Sequence, residues 1–244
     1  MYTLRDLTTE DFAGTLRKVA EIGYQGVEFA GYGGMAAEEL RALLDELGLS
    51  AIGSHTGYER LLEAAEEEIQ YMKTIGGRYI AVPYLAEKYR SAAAWKEVSR
   101  NLAALGEQCQ AEGIQLLYHN HQFEFTEHLD DKPIFDVMFE SVKPDVLQVE
   151  LDGCWAYAAG YDPTAYINKY RGRLPLLHFK DYRPTDKGPL TVELGEGIVP
   201  LKPLAQAAAD AGVEWLIVEQ DELTNPPLMS VKTSYDWIQS NLME

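Results

Sequence analysis

Four of the five histidines of this chain, and several of its carboxylates, fall at or just past the ends of short apolar runs. His55 closes Ser50-Ala51-Ile52-Gly53-Ser54-His55, and His119 closes Gln115-Leu116-Leu117-Tyr118-His119. Asp152 closes Leu147-Gln148-Val149-Glu150-Leu151-Asp152, His178 lies in Pro175-Leu176-Leu177-His178-Phe179, and Glu219 ends Trp215-Leu216-Ile217-Val218-Glu219. Glu28 stands inside Gly26-Val27-Glu28-Phe29-Ala30, and His121 follows His119 by two, on the same face of an extended chain. An acid behind Leu216-Ile217-Val218 is costly to bury unless it is paired or bound to a metal. Converging imidazoles and carboxylates are a donor set for a divalent cation. His119, Asp152, His178 and Glu219 are the candidate ligands, and mixed N/O ligation suits Mn2+, Zn2+, Co2+ or Fe2+ more than Mg2+ or Ca2+.

Such a site requires elements that bring distant residues together. The seven apolar runs, which include Arg78-Tyr79-Ile80-Ala81-Val82, are short and bounded by turn residues, as strands covered on both faces are. Between them lie helical stripes. Leu16, Val19, Ala20 and Ile22 form one; Leu40, Leu43, Leu44 and Leu47 form another, ended by Gly48. Glu63–Gly76, Trp95–Gly113 and Leu201–Gly212 repeat the scheme, and Thr8-Thr9-Glu10-Asp11 reads as a capped helix start. With Tyr2-Thr3-Leu4 as a vestigial strand the units number eight. This pattern predicts an α/β fold, a (β/α)8 TIM barrel with a short or incomplete first strand, spanning residues 1–244 as one domain. No Gly-rich phosphate loop follows the first strand, which counts against a dinucleotide-binding fold. In a barrel the working residues gather at the C-terminal strand ends, where the candidates above all stand. The weak first strand predicts a second copy covering that wall, as a homodimer. Arg183–Val199, with Gly188, Gly195 and Gly197, reads as a long loop that closes over the mouth.

Composition narrows the function further. Twenty-one basic against 39 acidic side chains give a net charge of −18, which disfavours nucleic acid as a partner. No apolar run approaches the roughly 20 residues of a membrane span, so no membrane partner is expected. Two cysteines, Cys109 and Cys154, make no disulfide framework, and the cytoplasm is the expected compartment.

Taken in order, these segments resemble the xylose isomerase-like TIM-barrel superfamily of sugar phosphate isomerases and epimerases, inosose dehydratases and 3-oxo-sugar lyases. The likeness rests on Tyr2-Thr3-Leu4-Arg5-Asp6, Ile22–Glu28, Tyr118-His119-Asn120-His121 with Glu124-Phe125, Leu151-Asp152 before Trp155, His178-Phe179-Lys180-Asp181, Leu194-Gly195-Glu196-Gly197 and Val218-Glu219. The resemblance implies a metal held by Asp152, His178 and Glu219, with His119 where the epimerases carry a glutamate; His121 or Glu124 are the other candidates for that place. It also implies a sugar substrate contacted by Glu28, His55, Glu124, Trp155 and Glu196. The implied chemistry is removal of a proton beside a ketone, giving an enediolate. Glu219 or an imidazole such as His121 would be the base, and Lys180, with a lowered pKa or as partner of the oxyanion, would assist. Reprotonation makes an isomerase or epimerase, the first expectation. Loss of a β-substituent makes a dehydratase or lyase, and a sugar-binding barrel without activity is the remote alternative.

Overall fold

The computed structural model describes residues 1–243. Among them, seven parallel strands form one sheet: β1 (Gly26–Phe29), β2 (Ser50–His55), β3 (Tyr79–Val82), β4 (Gln115–His119), β5 (Leu147–Asp152), β6 (Leu176–Phe179) and β7 (Trp215–Val218). They are hydrogen-bonded in chain order, β1 at one edge and β7 at the other. Strands β3 and β6 are buried at every residue, as expected of strands with helices on one side and a filled interior on the other.

Helices fill the connections where the apolar stripes place them. Phe12–Ile22 is capped by Asp11, whose Oδ1 accepts the Gly14 amide at 2.8 Å. The cap is therefore the last residue of the Thr8–Asp11 signal, and Thr8 and Thr9 lie inside a separate short helix, Arg5–Glu10. Ala37–Leu47 ends on Gly48 with φ +65°, the left-handed conformation that glycine adopts without a steric penalty. Tyr58–Ile75, Ala92–Ala111 and Leu201–Ala211 follow the remaining stripes.

Two expectations are corrected. Tyr2–Leu4 is a turn of 3-10 helix, not a strand, so β1 and β7 keep open edges around an apolar cleft of about 480 Å³. Three residues joined directly to a helix at Arg5 are too few to pair as a strand. The connection after β6 is no loose loop. It is an antiparallel hairpin, Asp181–Thr185 against Gly188–Val192, with a pinned return.

Candidate functional site

Parallel register sets two levels inside the barrel mouth. His119 on β4 lies beside Glu150 on β5, and Asp152, two residues on, lies beside His178 on β6. Glu219 follows the last residue of β7, and Glu28 on β1 lies beside Gly53 on β2, two residues before His55. These seven side chains come from six strands and meet.

At the upper level, Glu219 Oε2 is 3.0 Å from His178 Nδ1, and Asp152 Oδ2 is 3.9 Å from His119 Nε2. One ligand atom from each of His119, Asp152, His178 and Glu219 lies within 4.8 Å of the others, and all four residues are buried. At the lower level, His55 Nε2 is 2.7 Å from Glu150 Oε2 and 3.1 Å from Glu28 Oε2, and His178 Nε2 is 3.0 Å from Glu28 Oε2. Lys180, wholly buried, places its Nζ 2.9 Å from Asp152 Oδ2, 3.0 Å from Asp221 Oδ2 and in contact with Glu219.

The charges follow from these contacts. Burial would strip Lys180 of its proton, but Asp152, Glu219 and Asp221 outweigh burial and hold it well above the usual lysine value. This corrects the expectation of a lowered pKa: three surrounding carboxylates keep the ammonium charged. Burial likewise opposes charge on His178, yet Glu28, Glu219 and Glu150 keep it well above its usual value. His119 goes the other way. Burial, then His178, hold it well below the ordinary histidine range, so the ring is neutral, with one nitrogen's lone pair free to donate. Burial raises Asp152 against the pull of Lys180, while Lys180 and His178 overcome burial and keep Glu219 ionised.

The donor set fits a divalent cation. His119 Nδ1 is buried without a hydrogen-bond partner among the described residues, and Asp152 Oδ2 is paired there with the Lys180 ammonium at 2.9 Å. A buried ring nitrogen left in this state is costly unless something binds it. His178 would hold such an ion only as the unprotonated imidazole, so ligation there would displace its proton.

The other candidates are distributed unequally. His121 is half-buried at the rim, its ring 6.2 Å from Trp155 and 5.3 Å from Tyr84. Burial first, and Lys180 second, push it down to about 3, and its Nδ1 has no partner among the described residues. Glu124 is wholly buried behind the rim, where it accepts from Tyr118 OH at 2.7 Å and from the His121 amide at 2.8 Å. Both its oxygens therefore hold the Tyr118–His121 turn. Glu196 is exposed and paired with Arg183, away from the cluster.

Other contributors carried no expectation. Glu150 and Asp221 are described above. Asn120 donates to the Asp152 carbonyl at 3.2 Å and accepts its amide at 2.9 Å, tying the β4 turn to the end of β5. Asp181 accepts four backbone amides, from Tyr182, Gly195, Gly197 and Val199, at 2.9–3.0 Å. The signal for Glu150 is present in the sequence, because it stands two positions before Asp152 and so on the same strand face.

Known proteins resemble this chain in sequence and fold to different extents. An inosose dehydratase from Geobacillus kaustophilus is 23% identical over 265 residues, covering 91% of this chain and 85% of that protein. Another, from Lacticaseibacillus casei, is 26% identical over 145 residues, covering 52% of this chain; the match spans about half, 47%, of that relative's length. The solved structure of a sugar phosphate isomerase/epimerase from Parabacteroides distasonis superposes with a TM-score of 0.83 at 22% identity, covering 99% of this chain and 92% of that one, a likeness of fold. Residues 16–241 match the model of the xylose isomerase-like TIM barrel. With this match over most of its length and seven parallel strands in one sheet, the chain belongs to the xylose isomerase-like TIM barrel family.

Proposed function

We propose that this chain is a metal-assisted enzyme acting on a polyhydroxy ketone such as an inosose or a keto-sugar. It removes the proton beside the carbonyl and then expels the β-hydroxyl as water. The observation that carries this reading is the asymmetry of the mouth. Of the titratable nitrogens there, His121 Nδ1 alone is both at the rim and without a partner among the described residues, while Glu219 Oε2 already serves His178 and Lys180. One free base on one side suits a reaction in which the same group takes a proton and returns it. Epimerisation asks for a second acid on the opposite face of the carbon.

Asp152, His178 and Glu219, with His119 beside them, would hold the divalent ion. When bound, it polarises the ketone and stabilises the enediolate. The chain's own residues do the rest. The flat face of Trp155, half-buried beside His121, supports the ring of the substrate. Lys180, kept charged by its three carboxylates, stabilises the oxygen on which negative charge grows. His121 starts neutral because of burial and of Lys180. It takes the α-proton, and the electron pair of that C–H bond becomes the C=C of the enediolate. As the β C–O bond breaks, the imidazolium hands the same proton to the departing hydroxide, so one water leaves and the imidazole is regenerated. Cytoplasmic location accords with two buried free thiols.

The test is turnover of keto-inositols and 3-keto-sugars by the Mn2+-loaded protein in D2O, followed by mass spectrometry. A product lighter by one water supports dehydration. Deuterium gained at carbon without loss of water overturns it in favour of the isomerase or epimerase outcome. His121→Gln should lower kcat on the order of 10²–10⁴-fold, the usual worth of a general base. Unchanged kcat in that variant removes His121 from the role.

A further inference from the structure

Asp152 and His121, assigned above to the cation and to the proton, are held by one buried amide. The paired register of β4 and β5 ends at His119 and Glu150, and past it the two chains are joined by the side chain of Asn120, which is wholly buried. Its Oδ1 accepts the Asp152 amide at 2.9 Å, and its Nδ2 donates to the Asp152 carbonyl at 3.2 Å and to the His121 carbonyl at 3.4 Å. The first two bonds give Asp152 the donor and the acceptor that a neighbouring strand would supply, and the third uses the remaining amide hydrogen.

Each end of this clamp bears on the site. At Asp152 the backbone is fixed by Asn120, and Oδ1 accepts the Trp155 amide at 2.9 Å, which leaves Oδ2 to face Lys180 and the cation. His121 stands two residues beyond the end of β4, where the sheet no longer holds it. Its amide donates to Glu124 Oε2 at 2.8 Å and its carbonyl accepts from Asn120, so two side chains fix its backbone from both sides. A neutral amide makes these bonds without adding charge beside Asp152 and Lys180. A carboxylate there would set an oxygen against two carbonyls.

We propose that Asn120 is a positioning residue: it fixes the His121 ring relative to the Asp152 carboxylate, so that base and cation address the same substrate. The proposal rests on the reading of His121 as the base. Proton transfer requires the base within hydrogen-bond reach of the proton it takes, and an error of about 1 Å in such a placement can cost about 10²-fold in rate. Asn120, with no exposed surface, acts only through the residues it holds.

The experiment is a double-mutant cycle on the full-length protein at saturating Mn2+ with a keto-inositol as substrate, beside a Mn2+ titration of each variant followed by EPR of the free ion. Asn120→Ala should lower kcat on the order of 10–100-fold and weaken Mn2+ binding by a factor in the same range, the usual cost of removing a group that orients a ligand. In the His121→Gln background the same substitution should change kcat by less than about twofold, because the base it positions is gone. An equal loss of kcat in both backgrounds, or no loss in either, overturns the proposal while a slow His121→Gln keeps the base in its role. Unchanged Mn2+ affinity in Asn120→Ala overturns the hold on Asp152. If His121→Gln alone turns over like the parent, the reading of His121 as base fails and the proposal fails with it. Should Asn120→Ala not fold by circular dichroism, Asn120→Asp, which keeps the shape and loses both donated bonds, carries the same cycle.

Discussion

Glu124 shows how one buried carboxyl can govern the rim. Burial pushes its pKa up to about 8, against the opposing pull of Tyr118, of backbone amides and of Arg90. Because the folded value exceeds the unfolded value of 4.5, the folded chain retains a proton that the unfolded chain has released. That stabilisation is fully present below pH 4.5 and is lost as pH rises through 8. Each tenfold difference in proton affinity is about 1.4 kcal/mol. Glu124→Gln imitates the protonated form, so its melting temperature should fall less steeply than the parent's between pH 5 and 8. Parallel slopes in a thermal melt series would refute this. At the same scale, the strand-end residues were readable because parallel barrels put their chemistry there, and His119, Asp152, His178 and Glu219 do converge. Glu150 escaped because it stands between Val149 and Leu151, inside a run that reads as plain strand. For Glu124 motif position alone suggests a substrate contact or a place on the metal, and sequence carries no sign that both its oxygens are consumed by Tyr118 and His121.

The elements were mostly legible because helix stripes and apolar runs have different periods, and their order fixed the topology. The hairpin after β6 was not. Its strands are short and partly exposed, and the feature that organises them is a single carboxylate, Asp181, reaching residues up to 18 positions away. Asp181 Oδ1 accepts from Tyr182 and Val199, and Oδ2 from Gly195 and Gly197, so one side chain replaces the missing backbone ladder of the return. Gly197 permits this approach: a Cβ there would overlap Asp181 Oδ1 and the Tyr182 carbonyl. Gly197→Ala should therefore cost about 1–3 kcal/mol, the range for overpacking. It should also release the hairpin, which urea midpoints and limited proteolysis between Asp181 and Val199 would reveal. An unchanged midpoint with no new cleavage would mean that the return is held elsewhere.

At the scale of the molecule, the sheet begins and ends without a partner. β1 and β7 flank the same apolar cleft, and every residue of β7 is only half-buried, whereas β3 and β6 are buried throughout. The count of eight units takes Tyr2-Thr3-Leu4 as a vestigial strand here, but three residues leading into Arg5–Glu10 turn helically instead. What crosses the seam is no strand ladder but separate bonds: the Met1 amino group donates to the Glu28 carbonyl at 2.7 Å, the Gln220 amide to Thr3 Oγ1 at 3.0 Å, Arg5 to the Asp221 carbonyl at 2.8 Å and Tyr24 OH to the Val231 carbonyl at 2.8 Å. Local opening follows the weakest boundary, so amides of Gly26–Phe29 and Trp215–Val218 should exchange with solvent well before those of β3, β4 and β5. Hydrogen exchange read by mass spectrometry checks this, and equal protection across the seven strands would contradict it. Repeating the exchange over a hundredfold range of concentration separates two origins of any protection at the seam. A second copy seated there, against the mutual repulsion of two chains each carrying a net charge of −18, slows exchange at β1 and β7 only as concentration and salt rise. Protection intrinsic to one chain is indifferent to both.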